Sequence, residues 1–546
     1  MNSKRIGMHN PWALLAIALI GWASAWLVTW GHFGFFAWEP QGSLYDWQAK
    51  VLWENGTWDV PEKVTHVETF LVNGKAYMYF GPGPALLRFV TYAFGEAAPG
   101  SWSRSFVFLG TLATLFSLLG LIQWMARVRE EESNPLHLRP IWVGGFLLLM
   151  GLGSTLPFIN ARAFVYHEAI LFGSLAALGS YISLASYLRE PRTAALVASG
   201  FLGIFAVLSR ASVGGGTVVA LLLTGLLLLV SPARSSRRQR ICAWWAASSR
   251  ADAKRDGILA IAMAALIVAS FGFVNYQKFG NALEGVPLRY HVSYQDEGRL
   301  EKVGGSLLHL RNAPRNLYSY LDPRNIMFDE SFPWIYPTLH SAIPISAAEM
   351  EPPSYLTRPS RRVRIYPQPA WVAASAFPNT YADFVERYAS ATTTMPAILL
   401  LGLIGAISIA RGARGLGRYL RLPLLGALAG AFPFLMSVGV THRFLHDAFP
   451  AAAIACAAGL FALADIKRGV AKKSLGALLI LLTLWSGWAN IALALSYQRI
   501  YSWGTPFFLK TKFNKDQYRI DRTIGEAFGY EADDRWGIPK NPPRKK

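Results

Sequence analysis

Pro11-Trp-Ala-Leu-Leu-Ala-Ile-Ala-Leu-Ile-Gly-Trp-Ala-Ser-Ala-Trp-Leu-Val-Thr-Trp30 carries no charged residue. At a helical rise of about 1.5 Å per residue, a run of this length crosses a hydrocarbon core about 30 Å thick. Ten further apolar runs follow, near 105–126, 141–158, 167–188, 194–209, 214–231, 257–275, 395–410, 422–440, 448–465 and 474–496. The 546-residue chain is 53% hydrophobic and only 16% charged, where soluble domains carry about a quarter charged residues. The sequence therefore predicts an all-α polytopic membrane protein of about eleven transmembrane helices, with two long outer loops and an outer C-terminal tail. Only Arg210 and the turn Gly214-Gly-Gly216 separate the fifth run from the sixth. The first run is expected to be a retained span, because its small residues, Gly21-Trp-Ala-Ser-Ala25, lie inside it rather than after it.

Short loops rich in Lys and Arg mark the cytoplasmic side. Lys4 and Arg5 precede the first span, and the 232–256 loop holds Arg234, Arg237, Arg238, Arg240, Arg250, Lys254 and Arg255. Arg411, Arg414, Arg418 and Arg421 fall in a third such loop, and Lys467, Arg468, Lys472 and Lys473 in a fourth. An eleven-span count puts all four on one side. The net charge of +20 is then largely topological, with the basic loops set against anionic headgroups. No folded basic domain points to nucleic acid. Cys242 and Cys456 fall in a cytoplasmic loop and a span, so they are not expected to pair. The membrane region covers 1–500, including outer loops 31–104 and 276–394, and 501–546 form an extracytoplasmic tail.

The first outer loop has readable structure. Leu44, Trp47, Val51 and Leu52 recur at helical spacing, so Ser43 to Glu54 is predicted to lie as an interfacial helix. Ser43 is its expected N-cap and Gly56 its terminator. Further on, Phe70-Leu-Val72 and Ala76-Tyr-Met-Tyr79 flank Asn73-Gly74, a hairpin signal because both turn residues need positive φ. Gly81-Pro-Gly-Pro84 breaks the second strand, and Pro84 is placed to open another short helix. The second outer loop is rich in Pro, Tyr and Arg and has no sustained period, apart from a helix expected within 307–320. Asn55-Gly-Thr57 matches a glycosylation sequon and is taken as chance.

Five segments recur in order at expected outer membrane edges. They are Tyr45-Asp46 with its amphipathic helix, Tyr77-Met-Tyr-Phe-Gly-Pro-Gly-Pro-Ala-Leu-Leu-Arg88, Val165-Tyr-His-Glu-Ala169, the Gly200 span ending in Leu208-Ser-Arg210, and Thr441-His-Arg-Phe-Leu-His-Asp447 before Phe449-Pro450. Together they resemble the GT-C superfamily of membrane glycosyltransferases, which contains protein mannosyltransferases, the lipid A aminoarabinose transferase and mycobacterial arabinofuranosyltransferases. The likeness covers roughly 10–500. The resemblance implies a hexosyl- or pentosyltransferase that moves a sugar from a polyprenyl-phosphate donor to an acceptor hydroxyl on the outer side. The acceptor is a glycan, a lipid or a protein. The expected setting is a multi-pass protein of a bacterial plasma membrane with an outward-facing site.

That chemistry needs a carboxylate to take the acceptor proton and cations to stabilise the leaving phosphate. Asp46 is the expected base, next to Tyr45; the alternative is an acid placed to suit a helix N-terminus. Glu68 is a second acid, or a solvated residue before a strand. His167 and Glu168 either pair with Arg162 or belong to the acceptor or metal site. Arg210, Arg443, Lys75 and Arg88 are the phosphate cations, since a guanidinium fork fits phosphate oxygens. Arg88 has the alternative of anchoring at the interface beside Phe89. Arg443 and Asp447, four apart, have the alternative of pairing with each other. No cofactor is assigned, and a divalent metal ion is left open: many superfamily members carry two adjacent acids where Trp47 here follows Asp46. A lipid-linked-sugar transporter or flippase is the rival from another class, and it predicts charged or broken helices at the midplane. A non-catalytic envelope-assembly protein is the third.

Overall fold

The computed structural model describes residues 9–39, 42–61, 68–92, 99–131, 138–230, 252–295, 297–328, 332–340, 377, 379–383, 386–412, 415–466, 469–500 and 512–529. Eight helices are long and apolar enough to cross a membrane: Pro11–Val28, Ser103–Glu131, Val165–Arg189, Ala211–Val230, Ala253–Phe279, Leu416–Met436, His442–Asp465 and Val470–Gln498. Three shorter apolar helices, Pro140–Leu152, Thr193–Ser209 and Pro396–Arg411, fall on the other three predicted runs. The run predicted at 141–158 is two pieces, because the helix stops at Gly153 and restarts as Leu156–Asn160 around Pro157. The run predicted at 422–440 stops early: the chain turns extended at Ser437 and bridges to Leu308.

Buried apolar residues from most of these helices join in one cluster. Small residues set the closest approaches, as expected where lipid tails compete with side chains for apolar contact. The helices Pro396–Arg411 and Phe449–Asp465 lie against each other. An ideal Cβ on Gly405 would sit 1.7 Å from the Ala455 carbonyl oxygen, and one on Gly459 would sit 2.2 Å from that of Leu401. Cys456 is buried in this seam and free, while Cys242 and most of the basic 232–256 loop lie outside the described residues.

The loop after the first span folds as its local signals indicate. Ser43–Asn55 is a helix ended by Gly56 at φ 65°. Its N-cap position is Gly42 rather than Ser43, with no side-chain cap. Thr69–Val72 and Lys75–Met78 pair across Asn73 at φ 51° and Gly74 at φ 74°, and Asp59–Val60 adds a third strand beside the second. The helix Gly83–Leu87 follows with Pro84 in its first turn. In the second long loop the predicted helix is Ala313–Leu321, accompanied by short antiparallel strand pairs. Residues 341–376, the centre of that loop, lie outside the described residues. In the tail, the helix Lys512–Phe528 docks back on the body. Asp521 Oδ1 accepts the Phe332 amide at 2.8 Å, and Ile524 packs on a cluster formed by the first and last spans.

Candidate active site

Asp46 sits in the first turn of the Ser43–Asn55 helix and is buried. Its Oδ1 accepts Arg88 Nε at 2.5 Å, and its Oδ2 accepts the amides of Gly100 at 2.7 Å and Trp102 at 3.2 Å. The Arg88 guanidinium donates its Nη2 to Glu168 Oε2 at 2.9 Å, its Nη1 to Glu168 Oε1, and Nη1 also to the Pro84 carbonyl at 3.1 Å. The ring of Phe106 lies 4.3 Å from its Cζ. Arg88 is thus neither an interfacial anchor nor a cation facing solvent. Burial draws its proton affinity down, but Glu168 and Asp46 outweigh this and hold it above the ordinary value. Tyr45 packs beside this cluster with its hydroxyl buried and without a hydrogen-bond partner. Burial and the nearby Glu168 carboxylate push that phenol well up.

Of the expected pairing with Arg162, His167 makes its part and Glu168 does not. His167 Nδ1 bonds the Arg162 carbonyl oxygen at 2.8 Å, while Glu168 turns to Arg88. The Arg162 side chain pairs with Glu39 at 3.1 Å, and Glu39 also accepts Arg104 at 2.7 Å. Asp46, His167 and Glu168 do not fit a metal ion, because the guanidinium already occupies the space between the two acids. Among the described residues no cluster of three or more His, Cys, Asp or Glu side chains is arranged to hold one.

A cavity of about 790 Å³ lies beside this cluster. Of the predicted site residues, Glu68, Arg210, Arg443 and Asp447 line it; Asp46, Arg88, Glu168, Tyr45, His167 and Lys75 do not. Lys75 is exposed at the hairpin turn. Arg210 breaks the chain between two helices with an extended backbone. Its Nη2 donates to Asp447 Oδ2 at 2.9 Å and its Nε to Oδ1 at 3.2 Å. Ser212 Oγ donates to the same carboxylate at 3.2 Å. The expected Arg443–Asp447 pair is replaced by Arg210–Asp447. His442–Ala448 is a 3₁₀ helix, in which residues three apart align and residues four apart do not. Arg443 stacks instead on Tyr166, 4.4 Å from ring centre to Cζ. Tyr166 is the link between the two groups of site residues: it lines the cavity and stands two positions before Glu168.

The Gly-Pro break brings the hairpin against this site. An ideal Cβ on Gly81 would lie 2.2 Å from the Leu208 carbonyl oxygen, so only glycine fits. Tyr79 arrives with it; burial pushes its phenol up to about 12, against the opposing pull of Arg210. The outer wall comes from residues that the sequence did not single out. Arg299 Nε and Nη2 donate to Asp383 at 2.9 and 3.1 Å, and the Tyr294 hydroxyl donates to the same acid. His291 stands edge-on to Phe70, Tyr79 and Tyr294 at 5.2 to 5.3 Å. Burial, then Arg299, lowers His291 to about 4, while Asp383 opposes this. Lys278 also reaches the wall. The only cue to it was a polar run, Asn275-Tyr-Gln-Lys278, at the end of an apolar span. Arginine-bound acids, aromatic faces and apolar side chains share one cavity, an arrangement able to hold a phosphate and a ring or chain beside it.

No family model matches the chain, and no curated protein matches it. Among solved structures it is similar to the archaeal oligosaccharyltransferase AglB from Archaeoglobus fulgidus, solved in complex with an inhibitory peptide and a dolichol-phosphate. The similarity covers 98% of this chain and 62% of that one, at 13% identity and a TM-score of 0.39. This chain therefore spans less than two thirds of that protein's length.

Proposed function

We propose that the chain is a GT-C-type membrane glycosyltransferase that moves a sugar from a polyprenyl-phosphate donor to an acceptor hydroxyl on the outer face. The observation that carries this is the cavity itself. It combines Arg210 and Arg443, the acid Glu68 and a mostly apolar wall where the outer loops meet the ends of the spans. In this reading Arg210, oriented by Asp447, and Arg443, backed by Tyr166, hold the donor phosphate and stabilise it as it leaves. The isoprenoid follows the apolar wall towards lipid. The acceptor is a glycan, lipid or protein hydroxyl entering from the outer-loop side.

Glu68 is the base in this reading, because it lines the cavity and Asp46 does not. A second reading keeps Asp46 in that role. Asp46 and Glu168 share one guanidinium, so the cluster holds one negative charge in excess and is a proton acceptor behind Tyr166. Sugar transfer by the purified chain in lipid, from a panel of polyprenyl-phosphate sugars, tests both. Loss of a general base costs about 10²- to 10⁴-fold in rate. Glu68→Gln is expected to fall in that range while keeping donor affinity. If Asp46→Asn alone shows the loss, Asp46 is the base. If no donor in the panel supports transfer and the lipid-linked sugar instead crosses the bilayer, the chain is a flippase.

A further inference from the structure

The Ala253–Phe279 span ends in a charge that the proposed mechanism has not used. Lys278 is 4% exposed and reaches the cavity wall. Its Nζ donates to the carbonyl oxygens of Met78 at 2.8 Å and Phe80 at 2.9 Å. An ammonium has three N–H groups and no acceptor, so one donor remains. Arg162, Arg210 and Arg299 in the same wall each have a carboxylate partner. Lys278 has no acid within ion-pair distance among the described residues. A buried charge without a counter-charge is costly, and at a membrane edge it marks a cavity that meets an ion. The backbone connects it to one of the cavity arginines. Phe80, which accepts Lys278, leads into Gly81, and Gly81 abuts the Leu208 carbonyl two residues before Arg210.

We infer that Lys278 is a third cation of the anion site and gives its remaining N–H to a phosphate oxygen. This rests on the glycosyltransferase reading above. The phosphate is that of a lipid-borne donor or a free phosphate; the chemistry at Lys278 is the same. The competing explanation is that Lys278 only tethers the hairpin to the span, through two carbonyl oxygens. Lys278→Gln separates the two, because a carboxamide keeps two N–H donors and loses the charge.

The full chain in neutral phosphatidylcholine nanodiscs is titrated with a short-chain polyprenyl phosphate, with the matching polyprenol, and with inorganic phosphate as competitor. Lys278→Gln is expected to weaken polyprenyl-phosphate binding about tenfold or more, to leave polyprenol binding unchanged, and to be largely rescued in Lys278→Arg. Competition by inorganic phosphate in the wild type, lost in Lys278→Gln, identifies free phosphate as sufficient; absence of competition identifies the lipid-borne group as the ligand. Polyprenyl-phosphate binding equal to wild type in Lys278→Gln overturns the inference, as does an equal loss for polyprenol. Should that variant not keep the wild-type melting profile, acetylation of Lys278 in the wild type decides. Protection by polyprenyl phosphate and not by polyprenol supports the inference, and unchanged labelling overturns it. If Arg210→Ala loses binding while Lys278→Gln keeps it, only this inference falls. If the wild type binds no polyprenyl phosphate, the proposed function falls with it.

Discussion

Arg88 is the residue on which the inner half of the site turns. It bridges Asp46 and Glu168, which approach from the loop after the first span and from a span 80 residues away. Removing one member of a buried ion cluster leaves the others uncompensated, at a cost of about 3–5 kcal/mol. Arg88→Met is therefore expected to lower the thermal midpoint in detergent strongly, and Arg88→Met with Glu168→Gln to recover part of it. Equal midpoints for Arg88→Met and wild type would show that the cluster contributes nothing to stability. His291 gives a pH prediction. Its folded value, about 4, lies below the ordinary 6.5, so between those limits the unfolded chain binds the extra proton. The stability due to His291 is complete above about pH 6.5 and is lost as pH falls through about 4. Melts from pH 7 down to 4 are expected to slope less in His291→Gln than in wild type.

Among the elements, the hairpin is the one that local sequence specifies and the site depends on. Asn73 and Gly74 both sit at positive φ, which costs roughly 1–2 kcal/mol for a residue with a Cβ unable to bond locally. Gly74→Val is expected to destabilise the hairpin by about that amount. Because the hairpin carries Tyr79 and adjoins Glu68, transfer activity is expected to fall with donor affinity before the spans unfold. Proteolysis of the outer loop alongside far-ultraviolet circular dichroism checks this: a more readily cleaved loop with unchanged helicity is the expected result. In contrast, the segment 442–448 does not realise the pairing that its spacing allows. An i,i+4 pattern assigns Asp447 to Arg443, and the 3₁₀ geometry hands it to Arg210.

At the scale of the whole molecule, sidedness is the testable property. The charge bias of the short loops predicts the Lys75 turn outside and the 189–192 turn inside. In a background with Cys242 and Cys456 replaced, Lys75→Cys is expected to react with a membrane-impermeant thiol reagent added to intact cells. Arg192→Cys, exposed in the opposite turn, is expected to react only after lysis. The reverse pattern would place the cavity on the cytoplasmic side and remove the outward-facing reading.

Hydropathy and turn chemistry are local, so the apolar runs, the interfacial helix ending at Gly56 and the Asn73-Gly74 hairpin could be read directly along the chain. The same locality explains why Arg210, Arg443, Asp447 and Glu68, which line the cavity, stand out along the chain: each is at the end of a span or beside the hairpin. Partner choice is not local. Arg88 meets Glu168 across 80 positions, Lys278 meets Met78 across 200, and Arg210 meets Asp447 across 237. Buried charges settle on whichever counter-charges or carbonyl oxygens the packed helices bring within about 3 Å, because water is not there to solvate them. Sequence alone therefore determined a polytopic helical protein with chemistry gathered at the span ends. Tertiary packing decided that Asp46 is engaged by Arg88, that Glu68 faces the cavity, and that Lys278 belongs to its wall.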